Sequence, residues 1–216
     1  MTGPYYEHDG ITIYHGDCRE ILPGIQEVGL VLTDPPYGIR VGKQKWFSHQ
    51  QNQADVYGDD ESFDPRFLLQ IGSKRILWGA NHYADKLEAS SSWLVWNKIG
   101  TMKRGIISDC ELAWSDIGGP ARMFTHQWIG YFKASERGER YHPTQKPVAL
   151  MTWCIMLSRT TGIVLDPFMG SGTTLVAAKE LRREAIGIEV EERYCEVAAK
   201  RLEQEILPFP VDANEP

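Results

Sequence analysis

The chain has 216 residues, 42% hydrophobic and 24% charged, the make-up of a soluble globular protein of one domain, or one domain with an insertion, large enough for a sizeable core. Its four cysteines (Cys18, Cys110, Cys154, Cys195) stand far apart with no CxxC pair or His/Cys cluster, which argues against a disulfide frame or a zinc site. No secretory pattern opens the chain and no apolar run reaches membrane-spanning length, so a soluble, cytoplasmic protein is expected, and the net charge of −6 speaks against indiscriminate binding to nucleic acid.

In chain order, ITIYHG (11–16) alternates like a strand and leads into Asp17, and DCREILPGI reads as a short helix stopped near Pro23-Gly24. GLVLT (29–33) is the next strand, running into Asp34, Pro35, Pro36 and Tyr37. The two prolines fix φ and remove two N–H donors, leaving a stiff array of carbonyls between a carboxylate and an aromatic ring. Residues 38–62 are polar and aperiodic, a long loop of the kind that serves function. DPRFLLQIG (64–72) predicts a helix with Asp64 at its N-cap and Pro65 at its first position. KRILWGA, SSWLVWNK and CELAWSD follow as three strands, and residues 117–141 read as irregular.

PVALMTWCIMLSRTTG (147–162) has helical spacing and ends at a glycine. IVLDPF (163–168) is a strand, GSGTTLVAAKELR a helix, AIGIEV (185–190) a strand and EERYCEVAAKRLEQEI a final amphipathic helix. Alternating strands and helices predict an α/β fold with a mostly parallel sheet covered on both faces. Three successive strands after residue 73 add a mixed edge with an antiparallel strand. Ligands in such sheets bind at the carboxyl ends of the strands, which groups Asp17, Asp34, Asp166 and Glu189.

In DPFMGSGTT, Gly170 and Gly172 allow a tight turn that opens a helix. The spacing matches neither GxGxxG nor a phosphate loop. Glu189, about 20 residues on, is placed to bind ribose hydroxyls. S-adenosyl-L-methionine offers a ribose, a carboxylate and no phosphate.

Together, TDPPYG, HPTQKP, DPFMGSGTT and GIE resemble the amino-methylating DNA methyltransferases of adenine N6 and cytosine N4. The catalytic motif precedes the cofactor motif, an order that resembles the β group of these enzymes. The resemblance spans roughly residues 11–203, with no family pattern over 38–62 or 80–141. It implies a Rossmann-like class I methyltransferase fold. Residues 1–206 would form one permuted domain with a small target-recognition insertion at about 98–141, and 207–216 a flexible tail. It also implies S-adenosyl-L-methionine as cofactor. Asp166, Phe168, Gly170, Gly172 and Thr173 would line its methionine part, Glu189 would hold the ribose and Val190 would pack on the adenine. Asp17 would accept from the cofactor's adenine amine, and Lys146 with Thr144 would contact its methionine end. His142, before a proline, reads as structural.

The DPPY turn suits the chemistry. A nucleobase amino nitrogen is a poor nucleophile because its lone pair is delocalised into the ring. Asp34 through its carboxylate and Pro35 through its C=O would accept the two N–H groups, with Pro36 stiffening the turn, and so localise the lone pair. Tyr37 would stack on the base, worth ~1–3 kcal/mol. The amino group lies within a base pair, so the base must leave the duplex. Lys98, Lys103, Arg104, Arg122 and Lys133 are candidate phosphate contacts. Lys43, Lys45 and Trp46 belong to a loop that could close over the base. The expected partner is double-stranded DNA, with a homodimer as a means of adding contact surface, and no metal or membrane.

DPPY favours adenine over cytosine N4, for which SPPY is the commoner form, and cytosine N4 stays as the alternative. Release-factor glutamine methyltransferases use an (N)PPY motif too, but in unpermuted order and with Asn first.

Overall fold

The computed structural model describes residues 3–39, 57–101, 108–129, 132–135, 141 and 145–203. Among these residues there are eleven strands, β1 (Tyr6–His8), β2 (Ile11–His15), β3 (Leu30–Thr33), β4 (Lys74–Trp78), β5 (Leu94–Asn97), β6 (Cys110–Ser115), β7 (Arg122–Thr125), β8 (Trp128–Ile129), β9 (Phe132–Lys133), β10 (Val164–Asp166) and β11 (Ala185–Glu189). The described residues also form four α-helices, α1 (Cys18–Ile21), α2 (Val148–Ser158), α3 (Thr173–Glu180) and α4 (Glu192–Glu203). Nine strands form one sheet in the order β1-β2-β11-β10-β3-β4-β6-β5-β7, and β8-β9 form a separate hairpin.

β2, β11, β10, β3 and β4 are mutually parallel. β6 then runs antiparallel between β4 and β5, and β7 pairs parallel with β5. The mixed end expected after residue 73 is therefore present, with the antiparallel strand one place in from β5. At the other edge β1 is antiparallel to β2.

The period of two in the strands sorts their side chains to the two faces. Leu30, Leu32, Ile76 and Trp78 pack with Leu150 and Cys154 of α2, Leu175 and Ala178 of α3, and Ala198 of α4. Val31, Leu77, Leu165, Ile186 and Ile188 pack on the opposite face with Cys18, Leu68 and Tyr83. Burial on both faces accounts for the uninterrupted apolar run of β3, all four of whose residues are buried.

The helix expected over 64–72 is present as a 3-10 helix, Pro65–Gln70, with Asp64 as its cap, accepting from Arg66 N at 3.1 Å. Two other readings change. Residues 117–141, expected to be irregular, contain β7 and the β8-β9 hairpin. β7 was hidden because three of its four residues are exposed and it shows no alternation. β1 was also missed, although Asp9-Gly10, at φ 49° and 75°, is a hairpin dipeptide between it and β2. The expected tail at 207–216 lies outside the described residues.

The chain steps from β10 through α3 to β11 on one side, and from β3 to β4 on the other. β10 and β3 are paired neighbours, so the direction of winding reverses between them. A crevice at the carboxyl ends of the strands is expected at that point.

Candidate active site

A cavity of about 900 Å³ lies there, lined by Asp17 after β2, Asp34 to Tyr37 after β3, Asp166 to Ser171 after β10, and Glu189 and Val190 at the end of β11. Asp166, 4% exposed, accepts from Thr33 Oγ1 at 2.7 Å, Thr174 Oγ1 at 2.6 Å and Phe168 N at 3.1 Å. Burial pushes its carboxyl up to about 6, with the three donors opposing. Its carboxylate thus pins the turn between β10 and α3 to the end of β3.

The turn itself is tied to β11. Glu189 accepts from Gly170 N at 3.0 Å and from Glu191 N at 2.8 Å, one bond to each oxygen. Each oxygen keeps a further lone pair, and burial raises the carboxyl despite these N–H groups. Gly172 has φ 77°, and a Cβ there would meet Ala198 Cβ at 2.7 Å, so glycine lets α3 approach α4. Thr173 is buried, with its Oγ1 3.3 Å from Arg201 Nη1. Arg201, on α4, also donates to Ser171 O at 2.6 Å, a brace that nothing in the turn motif announces. Asp17 caps α1 by accepting from Arg19 N at 2.8 Å, and its side chain is exposed at the cavity rim.

Across the cavity, Asp34 follows β3 with 14% of its side chain exposed. Its two oxygens receive the Tyr37 hydroxyl and the Lys146 ammonium. Burial raises the Asp34 carboxyl above the ordinary range, and Lys146 pulls it back. Burial and the neighbouring carboxylates of Asp34 and Glu111 hold the Tyr37 phenol well above its usual value, so it stays a donor. Pro35 is buried and Pro36 half-buried against the cavity.

Three further groups hold the Tyr37 ring and its turn. A Cβ at Gly79 would fall 1.9 Å from Tyr37 Cε1, so the ring lies directly against that backbone, where φ is 69°. His82 stacks on Tyr37 at 4.9 Å and 17°. Asp59 accepts from Gly38 N at 2.9 Å and Ile39 N at 3.1 Å, tying residue 59 to the end of the turn. Gly79, His82 and Asp59 are distant in sequence from the motif, and only a tertiary contact picks them out.

Lys146 was expected at the cofactor's methionine end. It lines the cavity, but its ammonium, 6% exposed, is directed to Asp34 and lies 3.1 Å from Glu111 Oε2. Lys98 departs from the phosphate role expected of it. Its ammonium is 16% exposed and donates to Glu111 Oε1 at 3.0 Å, because β5 and β6 pair with Trp96 opposite Glu111 and Asn97 opposite Cys110. Arg122 is exposed on the edge strand β7, and Lys133 lies over the Trp128 ring at 4.7 Å. Lys43, Lys45, Trp46, Lys103, Arg104, His142 and Thr144 lie outside the described residues.

The charge of the cavity selects its ligand. Among the described residues that line it, nine are acidic and two, Arg19 and Lys146, are basic. Such a wall repels a nucleoside phosphate and attracts a cation. S-adenosyl-L-methionine carries a sulfonium and an ammonium and no phosphate, so the residues present fit it. Among the described residues no group of three or more His, Cys, Asp or Glu could hold a metal ion, and no helix is long and apolar enough to cross a membrane.

A cationic-cofactor crevice at the winding reversal, with a carboxylate and two prolines facing it from the next strand, defines a class: methyltransferases that act on an amino nitrogen. The chain belongs to the N6/N4 DNA methylase family, whose model matches residues 83–200, more than half of its length. It is a DNA amino-methyltransferase. Two whole-length relatives extend the likeness past the DPPY turn. Type II methyltransferase M2.LlaDCHI of Lactococcus lactis subsp. cremoris is 28% identical over 94% of this chain and 93% of its own. Type II methyltransferase M2.DpnII of Streptococcus pneumoniae is 28% identical over 95% and 94%. Among solved structures, the M1.HpyAVI–SAM complex has a TM-score of 0.60 at 27% identity, covering 90% of this chain and all of that one. The cytosine-N4-specific PvuII DNA methyltransferase has a TM-score of 0.63 over 94% of this chain and 90% of its own; at 16% identity it shares the fold.

Proposed function

We propose that the protein transfers a methyl group to the N6 amino nitrogen of a flipped adenine at a specific short site in double-stranded DNA. The observation that carries this reading is Asp34, a carboxylate 14% exposed, facing the cavity beside a tyrosine hydroxyl and two prolines. When bound, S-adenosyl-L-methionine supplies an electrophilic methyl group. Glu189 and Val190 would hold its nucleoside, and Asp166 with the turn at 168–173 would line its methionine part. Asp17, Lys146 and Thr144 complete the cofactor set as the family motifs imply.

On the acceptor side, Asp34 takes one amino N–H and the Pro35 C=O the other, which draws the nitrogen toward a tetrahedral shape. The fold fixes both acceptors in place, and such preorganised groups are worth about 10²–10³ in rate. Pro35 and Pro36 hold the turn, Tyr37 stacks on the base, and the excess proton leaves to water once the nitrogen has gained its methyl. Arg122 and Lys133, with Lys43, Lys45, Lys103 and Arg104, are the proposed phosphate contacts. The residues at about 98–141 form the proposed recognition region within a single permuted domain, and a homodimer would enlarge the DNA-binding surface.

The test is methyl transfer from labelled S-adenosyl-L-methionine to unmethylated genomic DNA, followed by digestion to nucleosides and mass analysis. Labelled N6-methyladenine is expected. Labelled N4-methylcytosine would overturn the choice of base, and an absence of labelled nucleoside with intact cofactor binding would overturn the reading.

A further inference from the structure

Four charged groups alternate in a row behind the DPPY turn. Lys146 Nζ donates to Asp34, lies 3.3 Å from the Tyr37 hydroxyl oxygen and sits 3.1 Å from Glu111 Oε2. Glu111 Oε1 in turn accepts from Lys98 at 3.0 Å. Asp34 and Lys146 line the cavity, whereas Glu111 and Lys98 do not. Glu111, on β6, therefore reaches the reacting end of the site only through Lys146.

Two features of this row are unequal. Each oxygen of Asp34 already accepts a hydrogen bond, one from Tyr37 and one from Lys146, so an incoming amino group must compete with an ammonium for the same carboxylate. Glu111 Oε2, by contrast, is buried and, among the described residues, is met by the Lys146 ammonium at 3.1 Å, a longer and less aligned contact than the one Asp34 makes. The ammonium is thus shared unequally between two carboxylates, and Glu111 has an oxygen that can take it more fully.

We propose that Glu111 is a positioning residue that receives Lys146 when the target base enters: the ammonium shifts its hydrogen bond from Asp34 to Glu111 Oε2 and uncovers Asp34 for the amino N–H. This rests on Asp34 being the amino acceptor, as proposed above. No proton moves in the shift. Lys146 remains an ammonium because two carboxylates outweigh the burial that would lower it. Glu111 remains ionised because Lys146 and Lys98 outweigh burial and hold its carboxyl down to about 2. The ammonium therefore exchanges one anion for another within a neutral set of four charges.

The test compares wild type with Glu111→Gln in steady-state methylation of DNA, with thermal melting and S-adenosyl-L-methionine affinity as controls for folding. Glutamine keeps the shape but cannot hold the ammonium as a carboxylate does, so Lys146 stays on Asp34. The expected result is a fall in kcat of about 10- to 100-fold, with KM for DNA and cofactor affinity within about threefold. The acid limb of the kcat/KM profile should also move to lower pH, because the Glu111 charge that raises the Asp34 carboxyl is gone. A residue that only supports the fold would leave that limb in place.

Lys146→Gln with and without Glu111→Gln completes the test. Without an ammonium to remove from Asp34, Glu111 has no task, so the double variant should be within about threefold of Lys146→Gln alone. That double variant keeps the set neutral and carries the comparison even if Glu111→Gln alone does not fold. A kcat for Glu111→Gln within about twofold of wild type, or a double variant a further tenfold below Lys146→Gln, would overturn the proposal. A wild-type protein that methylates no amino group on DNA would remove the function on which it rests, and the wild-type arm reports that separately.

Discussion

Two Asp-Pro pairs stand side by side in this molecule, Asp166-Pro167 at the end of β10 and Asp34-Pro35 just past β3, and their carboxylates do opposite things. Asp166 is surrounded by neutral donors, two threonine hydroxyls and an amide. They take three of its four lone-pair sites inside the protein, and the residue is 4% exposed at the cavity wall. Asp34 meets a phenol and an ammonium and faces the cavity. A carboxylate wrapped in fixed neutral donors makes a joint between two strands. One held by a cation with a second anion waiting nearby makes a site that substrate can open. The residue type and the following proline are the same, so the surroundings assign the roles.

The sharpest way to break this contrast is to remove the charge from each aspartate in turn. Asp34→Asn should lower methyl transfer by about 10²–10³ while S-adenosyl-L-methionine affinity changes little, since the amide cannot accept from the amino group as a carboxylate does. Asp166→Asn should instead retain most of its kcat. Equal losses of kcat in the two variants would show that both carboxylates act on the amino group.

A smaller effect is expected at the seat of Tyr37. Gly79→Ala places a methyl group where the ring now lies and does so at φ 69°, so the ring must move. Activity should fall by about tenfold or more and stability by about 1–3 kcal/mol, read by methylation and thermal melting. An unchanged kcat would show that the position of the Tyr37 ring is not needed for transfer.

The last effect is on the pH dependence of stability and leaves the rate of transfer aside. The Asp166 carboxyl is raised from 3.8 to about 6 in the folded protein, so the folded state binds the proton more tightly than the unfolded chain. The stability from this group is fully present below its unfolded value and is lost as pH rises through about 6. The amount is about 3 kcal/mol at most. Between those two pH values, Asp166→Asn should gain melting temperature relative to wild type as pH rises, and a constant difference would contradict the raised carboxyl.

Much of the molecule was legible before folding was considered. The parallel strands announce themselves as short apolar runs, and Asp17, Asp34, Asp166 and Glu189 fall at strand ends by simple reading of where those runs stop. The cofactor turn and the DPPY turn are local, each within ten residues, so spacing alone reveals them. The exposed edge strand β7 and the two-residue strands of the β8-β9 hairpin escaped notice, because they carry too few alternating residues to register.

The partners of those local motifs were not legible. Glu111 and Lys98 read as ordinary charges on two strands, and Lys98 even passed for a DNA contact. Only the antiparallel pairing of β5 and β6 sets one beside the other and aims Glu111 at Lys146, 35 residues away in the chain. Gly79 and His82 are likewise unremarkable until the end of β4 is laid beside the Tyr37 ring. The sequence by itself determined the class of fold, the cofactor turn and the acceptor turn, because backbone propensity and hydrophobic period act over a few residues. Which carboxylate accepts from neutral donors and which is paired with a buried cation was decided by the tertiary structure, because burial and charge pairing depend on neighbours that chain order does not reveal.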